Sequence, residues 1–106
     1  MKEVICINSI FPRDYLEFYQ KHNVQIPKKD QIYTIREVVK PSLGGEAGIL
    51  LEEIKNPLVP VKHHILTSAM MEPSWKISRF AKLDGSSISR EEVREMIKEQ
   101  SKTLVK

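Results

Sequence analysis

Thiols are nearly absent from this chain: its 106 residues hold one cysteine, Cys6. A lone thiol closes no internal disulfide, so the sequence is not built for an oxidising compartment. Long apolar runs are missing too. No stretch approaches the roughly 20 apolar residues that cross a bilayer. The run from Val4 to Ile7 meets Asn8 at once and does not read as a signal peptide. The expectation is a cytoplasmic protein without membrane contact. Charge of one sign is scarce as well. The formal net charge is +3, and Lys28-Lys29, the one adjacent pair of cations, is followed directly by Asp30. A basic stripe for nucleic acid would have to be assembled by folding.

What the chain has is ordinary globular material: 41% apolar and 29% charged residues, in a length that suits one domain. Such a chain supports one modest core and leaves little room for an enclosed substrate cavity.

Val4 to Ile7 reads as a first strand, buried on both faces or at a sheet edge. In the segment 9–30, Pro12 suits a first helical turn, and Tyr15, Leu16, Phe18 and Tyr19 follow at roughly helical spacing. A short helix or an aromatic-rich loop is expected there. Ile32 to Val39 alternates as a strand, with Tyr33 and Ile35 on one face and Thr34 and Arg36 on the other. The alternation breaks at Glu37-Val38-Val39, as at a bulge. Pro41 and the glycines up to Gly45 predict a turn, and Gly48 to Ile54 a second strand of a hairpin.

The segment 58–74, punctuated by Pro60 and Pro73, predicts a long loop, with a short extra strand or helical turn as the alternative. Trp75 to Leu83 reads as a strand that bends near Phe80, and Asp84-Gly85 as a turn. The span 87–106 predicts an amphipathic helix. Ser89 and Glu92 form a capping box, Ile88 and Val93 a hydrophobic staple, and Val93, Met96, Ile97 and Leu104 an apolar stripe. That stripe suits either the chain's own core or a second copy, so a homodimer is one expectation.

Few residues suggest chemistry. His63-His64 invites a metal reading, but neighbours on an extended chain point in opposite directions, and Cys6 and His22 are the only other soft ligands. Cys6 lies in an apolar strand, where a thiol behaves as a small hydrophobe rather than a nucleophile. Glu52 and Glu53 would face opposite sides of a strand, one of them pairing with Arg36 or Arg79. Gly44-Gly45 with Gly48 lacks the lysine and hydroxyl residue of a phosphate-binding loop. No cofactor or metal is expected. Trp75, Phe80 and Tyr33 read as core. Tyr15, Phe18 and Tyr19, interleaved with Arg13, Lys21, Lys28 and Lys29, could stack bases, but burial is the favoured reading.

Three segments together, Ile32 to Val38, Gly48 to Pro57, and Glu72 through Leu83, resemble a group of small uncharacterised proteins of bacterial and phage genomes. The resemblance implies a small antiparallel barrel of the Src-homology-3-like type and carries no activity with it. The expected architecture is a mainly β domain over 1–86, with insertions at 9–30 and 58–74, followed by the helix of 87–106. The expected role is a non-enzymatic binding module for a protein partner, phage- or mobile-element-related. The protein-binding form points to apolar loop residues Leu58, Ile65 and Met70. The alternative, nucleic-acid binding, points to Lys28, Lys29, Arg36 and Arg79. A third form, an enzyme or metal protein, requires His63, His64 and Cys6 to converge.

Overall fold

The computed structural model describes residues 2–40, 45–61 and 69–104. The expected turn residues Pro41 to Gly44, together with His63, His64 and Ile65, lie outside the described residues.

Among the described residues, seven strands and two helices follow one another: β1 (Glu3–Cys6), α1 (Arg13–Lys21), β2 (Ile32–Val39), β3 (Gly48–Leu51), β4 (Val59–Val61), β5 (Ala69–Met71), β6 (Trp75–Lys76), β7 (Phe80–Ala81) and α2 (Arg90–Leu104). A single 3₁₀ turn, Ile77–Arg79, joins β6 to β7. Five strands form one antiparallel sheet in the order β6-β3-β2-β1-β7, and β4 and β5 form a separate antiparallel hairpin. The fold is therefore mainly sheet. Among the described residues no pairing joins β6 to β7, so the sheet is open where a closed barrel was expected.

The sheet is nevertheless rolled. A flat sheet of five strands would hold its outer strands about 19 Å apart. Only the 3₁₀ turn separates Lys76 from Phe80, and four steps of even fully extended chain reach about 14 Å. The two edges must curl toward each other. β2 makes this possible. Its first half pairs with β1 (Val4 opposite Tyr33) and its second half with β3 (Val38 opposite Ile49). Between the halves the register slips: Ile35 faces Leu51 and Glu37 faces Leu50, leaving Arg36 without a partner. This bulge bends the strand and shifts its parity, so that Tyr33 and Ile35 are buried before it and Val38 after it.

The core lies inside this curl. Val4, Cys6, Ile49, Leu51, Trp75 and Phe80 are all buried in one cluster. β1 is central rather than an edge, and it buries one face only: Val4 and Cys6 are covered while Glu3 is exposed. β2 has its expected span, while the strands after it are shorter than the sequence suggested. β3 ends at Leu51 instead of Ile54, and the span Trp75 to Leu83 is two dipeptide strands around the 3₁₀ turn. The expected long loop of 58–74 contains the β4–β5 hairpin.

α1 takes the helical alternative for its segment, with Pro12 as N-cap. It ends in a Schellman motif. Asn23 adopts φ +58°, its N–H donates to Gln20 O at 3.3 Å, and the Val24 N–H donates to Tyr19 O at 2.8 Å. No residue of α1 is fully buried. Tyr19 anchors it edge-on to Phe11 and Trp75, with ring centroids 5.6 and 5.5 Å away. Tyr15 stays 57% exposed.

α2 begins with the predicted box. Ser89 N–H donates to Glu92 Oε1 at 3.0 Å, and Glu92 N–H to Ser89 Oγ at 3.1 Å. Ile88, Val93, Met96 and Ile97 pack, partly buried, against the chain's own core. Gln100 then covers a weak point. Among the described residues, β1 and its lead-in accompany β2 as far as Lys2, whose carbonyl accepts from Ile35 N–H at 2.8 Å. Beyond it, the Gln100 amide accepts from Val38 N–H at 2.7 Å and donates to Val38 O at 3.0 Å. One side chain thus stands in for the missing strand. No helix among the described residues is long and apolar enough to cross a membrane.

Candidate interaction surface

The β4–β5 hairpin presents two different faces. Val59 opposes Met71 and Pro60 opposes Met70. Opposed residues share a face, and neighbours alternate. Val59 is 3% exposed and anchors its face to the molecule, although Met71 opposite it keeps 43% of its surface. Pro60 and Met70 occupy the outer face, where Met70 is 59% exposed. Leu58, two residues before Pro60, continues that face and is 60% exposed. Leu58, Pro60 and Met70 make a short apolar strip on the outside of the molecule. Pro60 also offers no N–H to a strand added beside β4, which favours side-chain docking over strand addition there.

A two-stranded hairpin is marginal in water by itself. Polar bonds at its base hold this one. Asn56, just before the hairpin, bonds Gln25 twice: its Oδ1 accepts from Gln25 N–H at 2.8 Å, and its Nδ2 donates to Gln25 O at 3.0 Å. Glu72, just after the hairpin, accepts from Asn56 N–H at 3.0 Å and from the Arg36 guanidinium at 2.7 Å, both on Oε2. Arg36 Nε further donates to Leu51 O at 3.1 Å. Both hairpin ends are thereby tied to the bulge of β2. Burial pushes the Glu72 carboxyl up, but the Arg36 and Asn56 hydrogen bonds outweigh it and hold the carboxyl below its ordinary range. The Glu72 hydrogen bond, partly opposed by burial, raises Arg36 in turn.

The other expected site residues do not gather on one surface. Lys28 and Lys29 are exposed in the turn before β2, where the Lys28 N–H donates to Tyr33 Oη at 2.8 Å. Arg79 lies 3.8 Å over the Phe11 ring and donates to Ile10 O at 2.8 Å and Asn8 O at 3.3 Å. It stitches the 3₁₀ turn to the segment leading into α1. Arg36 and Arg79 are therefore both engaged within the chain. Neither pairs with Glu52 or Glu53. Those two residues sit on a bend after β3 rather than on a strand. Glu53 turns back to Thr34, accepting from its N–H and its hydroxyl, each at 2.8 Å.

Tyr33, Trp75 and Phe80 are core, as read from the sequence. Cys6 is buried, and burial pushes its thiol up, away from the thiolate a nucleophile needs. His22 stacks on Phe18 at 4.5 Å. Among the described residues no group of three or more His, Cys, Asp or Glu side chains converges to hold a metal.

Leu58 and Met70 were visible in the sequence as apolar residues of an irregular segment. The clamp beneath them was not. Asn56 read only as a strand terminator, and Glu72 lies 36 positions from its partner Arg36. Set against known proteins, the chain matches no family model, no curated protein and no solved structure.

Proposed function

We propose that this chain is a non-enzymatic binding module that contacts a protein partner through the outer face of the β4–β5 hairpin. The observation that carries the reading is the exposed strip of Leu58, Pro60 and Met70 on a hairpin clamped at its base. Apolar side chains held out on a fixed support lose little conformational freedom on docking, so more of their burial appears as affinity. Nucleic-acid binding is the weaker reading. Two of its four cations, Arg36 and Arg79, are spent on internal contacts, and Lys28-Lys29 alone make a small electrostatic footprint.

The scaffold under this surface we take to be a Src-homology-3-like barrel left open at one seam. The strand order, the bulged strand shared between two halves and the 3₁₀ turn joining the sheet edges support that reading. A reduced, cytoplasmic setting suits the single buried thiol. A phage- or mobile-element origin rests on the sequence resemblance alone.

A photo-cross-linking residue in place of Met70, used in living cells, tests the function. A discrete adduct with one protein, lost when Leu58→Asp is added, is expected. Adducts no different from those of the same residue placed at Glu17, on α1, would contradict it.

A further inference from the structure

A second recess lies away from the hairpin residues. It is a cleft of about 650 Å³ between the first turns of α2, the 3₁₀ turn and the residues leading into β3. That size falls within the range of small-molecule sites. Its floor is apolar, with the nearly buried Ala47, Ile77 and Phe80 on the sheet side and the more exposed Val93 and Ile97 on the helix side, while Glu46, Ser78 and Ser87 add polar groups to the lining. Ile7 also lines it and remains 47% exposed. The helix stripe here is only partly buried, so the recess keeps apolar surface in contact with water.

The rim is asymmetric. Arg90 and Arg94 stand on it, one helical turn apart, with Cβ atoms about 5 to 6 Å apart by helix geometry. Both are exposed, and among the described residues neither guanidinium makes a hydrogen bond or an ion pair. Helix stability does not account for Arg90. It is the first residue of α2, where the helix dipole disfavours a cation. Glu46 also lines the cleft. Its Oε1 accepts from the Ser78 hydroxyl at 2.6 Å and more weakly from the Ser78 N–H at 3.4 Å. A negative head group is drawn to the two guanidiniums and repelled from the Glu46 side.

We propose that this cleft binds a medium-chain aliphatic carboxylate, with the chain against Ala47, Ile77, Phe80 and Val93 and the carboxylate at Arg90 and Arg94. Guanidiniums pair with carboxylates through charge-assisted, geometrically matched hydrogen bonds. Each methylene removed from water adds about 0.8 kcal/mol, so affinity rises with chain length until the cleft is filled.

The test is amide NMR of the full-length protein titrated with sodium octanoate below its micellar range, beside acetate, octylamine and octanol. Saturable shifts centred on Ala47, Ile77, Ser78 and Val93 are expected with octanoate, with affinity falling about tenfold or more for the amine and the alcohol. Acetate should produce none. The double variant R90A/R94A changes exposed residues only, so it should keep the wild-type spectrum and lose octanoate affinity by about the same factor. Equal affinity for octanoate and octylamine, shifts centred on the hairpin residues Leu58 and Met70, unchanged affinity in the double variant, or no binding would each overturn the assignment.

Discussion

Glu92 shows how much one side chain can coordinate. It closes the capping box with Ser89, and its other oxygen lies 3.0 Å from Lys82 Nζ and 3.6 Å from Lys2 Nζ. The Ser89 N–H, then Lys82 and the Ser89 hydroxyl, lower its carboxyl from an ordinary 4.5 to about 2. A lowered folded-state value stabilises the fold above the unfolded value, and that contribution fades as pH falls from 4.5 toward 2. A carboxyl-detected NMR titration should therefore find Glu92 titrating near 2, and Glu92→Gln should flatten the acid limb of the stability curve in this window. Glu72 works in the same direction beneath the hairpin, since its carboxyl is also held low. Its loss should be felt at neutral pH. Glu72→Ala leaves Arg36 Nη2 and the Asn56 N–H without this acceptor, both in part-buried positions, while Arg36 Nε keeps Leu51 O. A loss of about 1 to 3 kcal/mol in denaturant unfolding is expected, with faster amide exchange confined to the hairpin and residue 56.

At the scale of elements, the account turns on ends and edges. Ser89→Ala removes the N-cap of α2 and should cost about 1 kcal/mol. Gln100→Ala should leave the helix start intact while raising exchange at the Val38 amide, because it removes both Gln100 bonds to that stretch of β2. Unchanged exchange at Val38 would show that the amide bond does not protect the edge. The elements most legible in the sequence were those whose signals are local. The alternation of Ile32 to Val39 gave β2 to the residue, and Ser89 with Glu92 gave the start of α2. The alternation broke at Glu37-Val38-Val39, and the bulge lies one residue earlier, between Ile35 and Glu37. What local signals cannot carry is pairing across distance. The prolines at 57, 60 and 73 hid β4 and β5 because they punctuate strands as readily as loops. The pairing of Arg36 with Glu72 instead of Glu52 or Glu53 depends on a bend after Leu51 and a hairpin between the partners, neither of which leaves a periodic trace. The candidate surface was therefore half-readable: the apolar residues in the segment were visible, but not their fixed support.

Across the whole molecule, α2 belongs to the same core as the sheet. Val93, Met96 and Ile97 pack onto the cluster that contains Val4, Trp75 and Phe80, so sheet and helix should unfold together in one transition. A chain ending at Ser86 would expose that apolar surface and uncover the Val38 edge. It should lose cooperative unfolding and self-associate, whereas independent folding of that fragment would show the helix to be an appendage. The cations are likewise organised by the whole fold. Arg36 and Arg79 brace the hairpin base and the approach to α1, while the apolar strip of Leu58, Pro60 and Met70 stays exposed on the hairpin.

The most direct test of that surface uses the methionines as reporters. Of the four in the chain, Met70 lies on the proposed face, Met71 shares the opposite face with Val59, and Met96 packs against the core beneath α2. Methyl-labelled protein would be added to extract from the source cells and its methionine signals compared with those in buffer. Selective broadening or shifting of Met70, reversed by Leu58→Asp, with Met96 affected only by the overall slowing of tumbling, is the predicted result. A Met70 signal that behaves as in buffer, or that changes no more than Met96, would contradict the account.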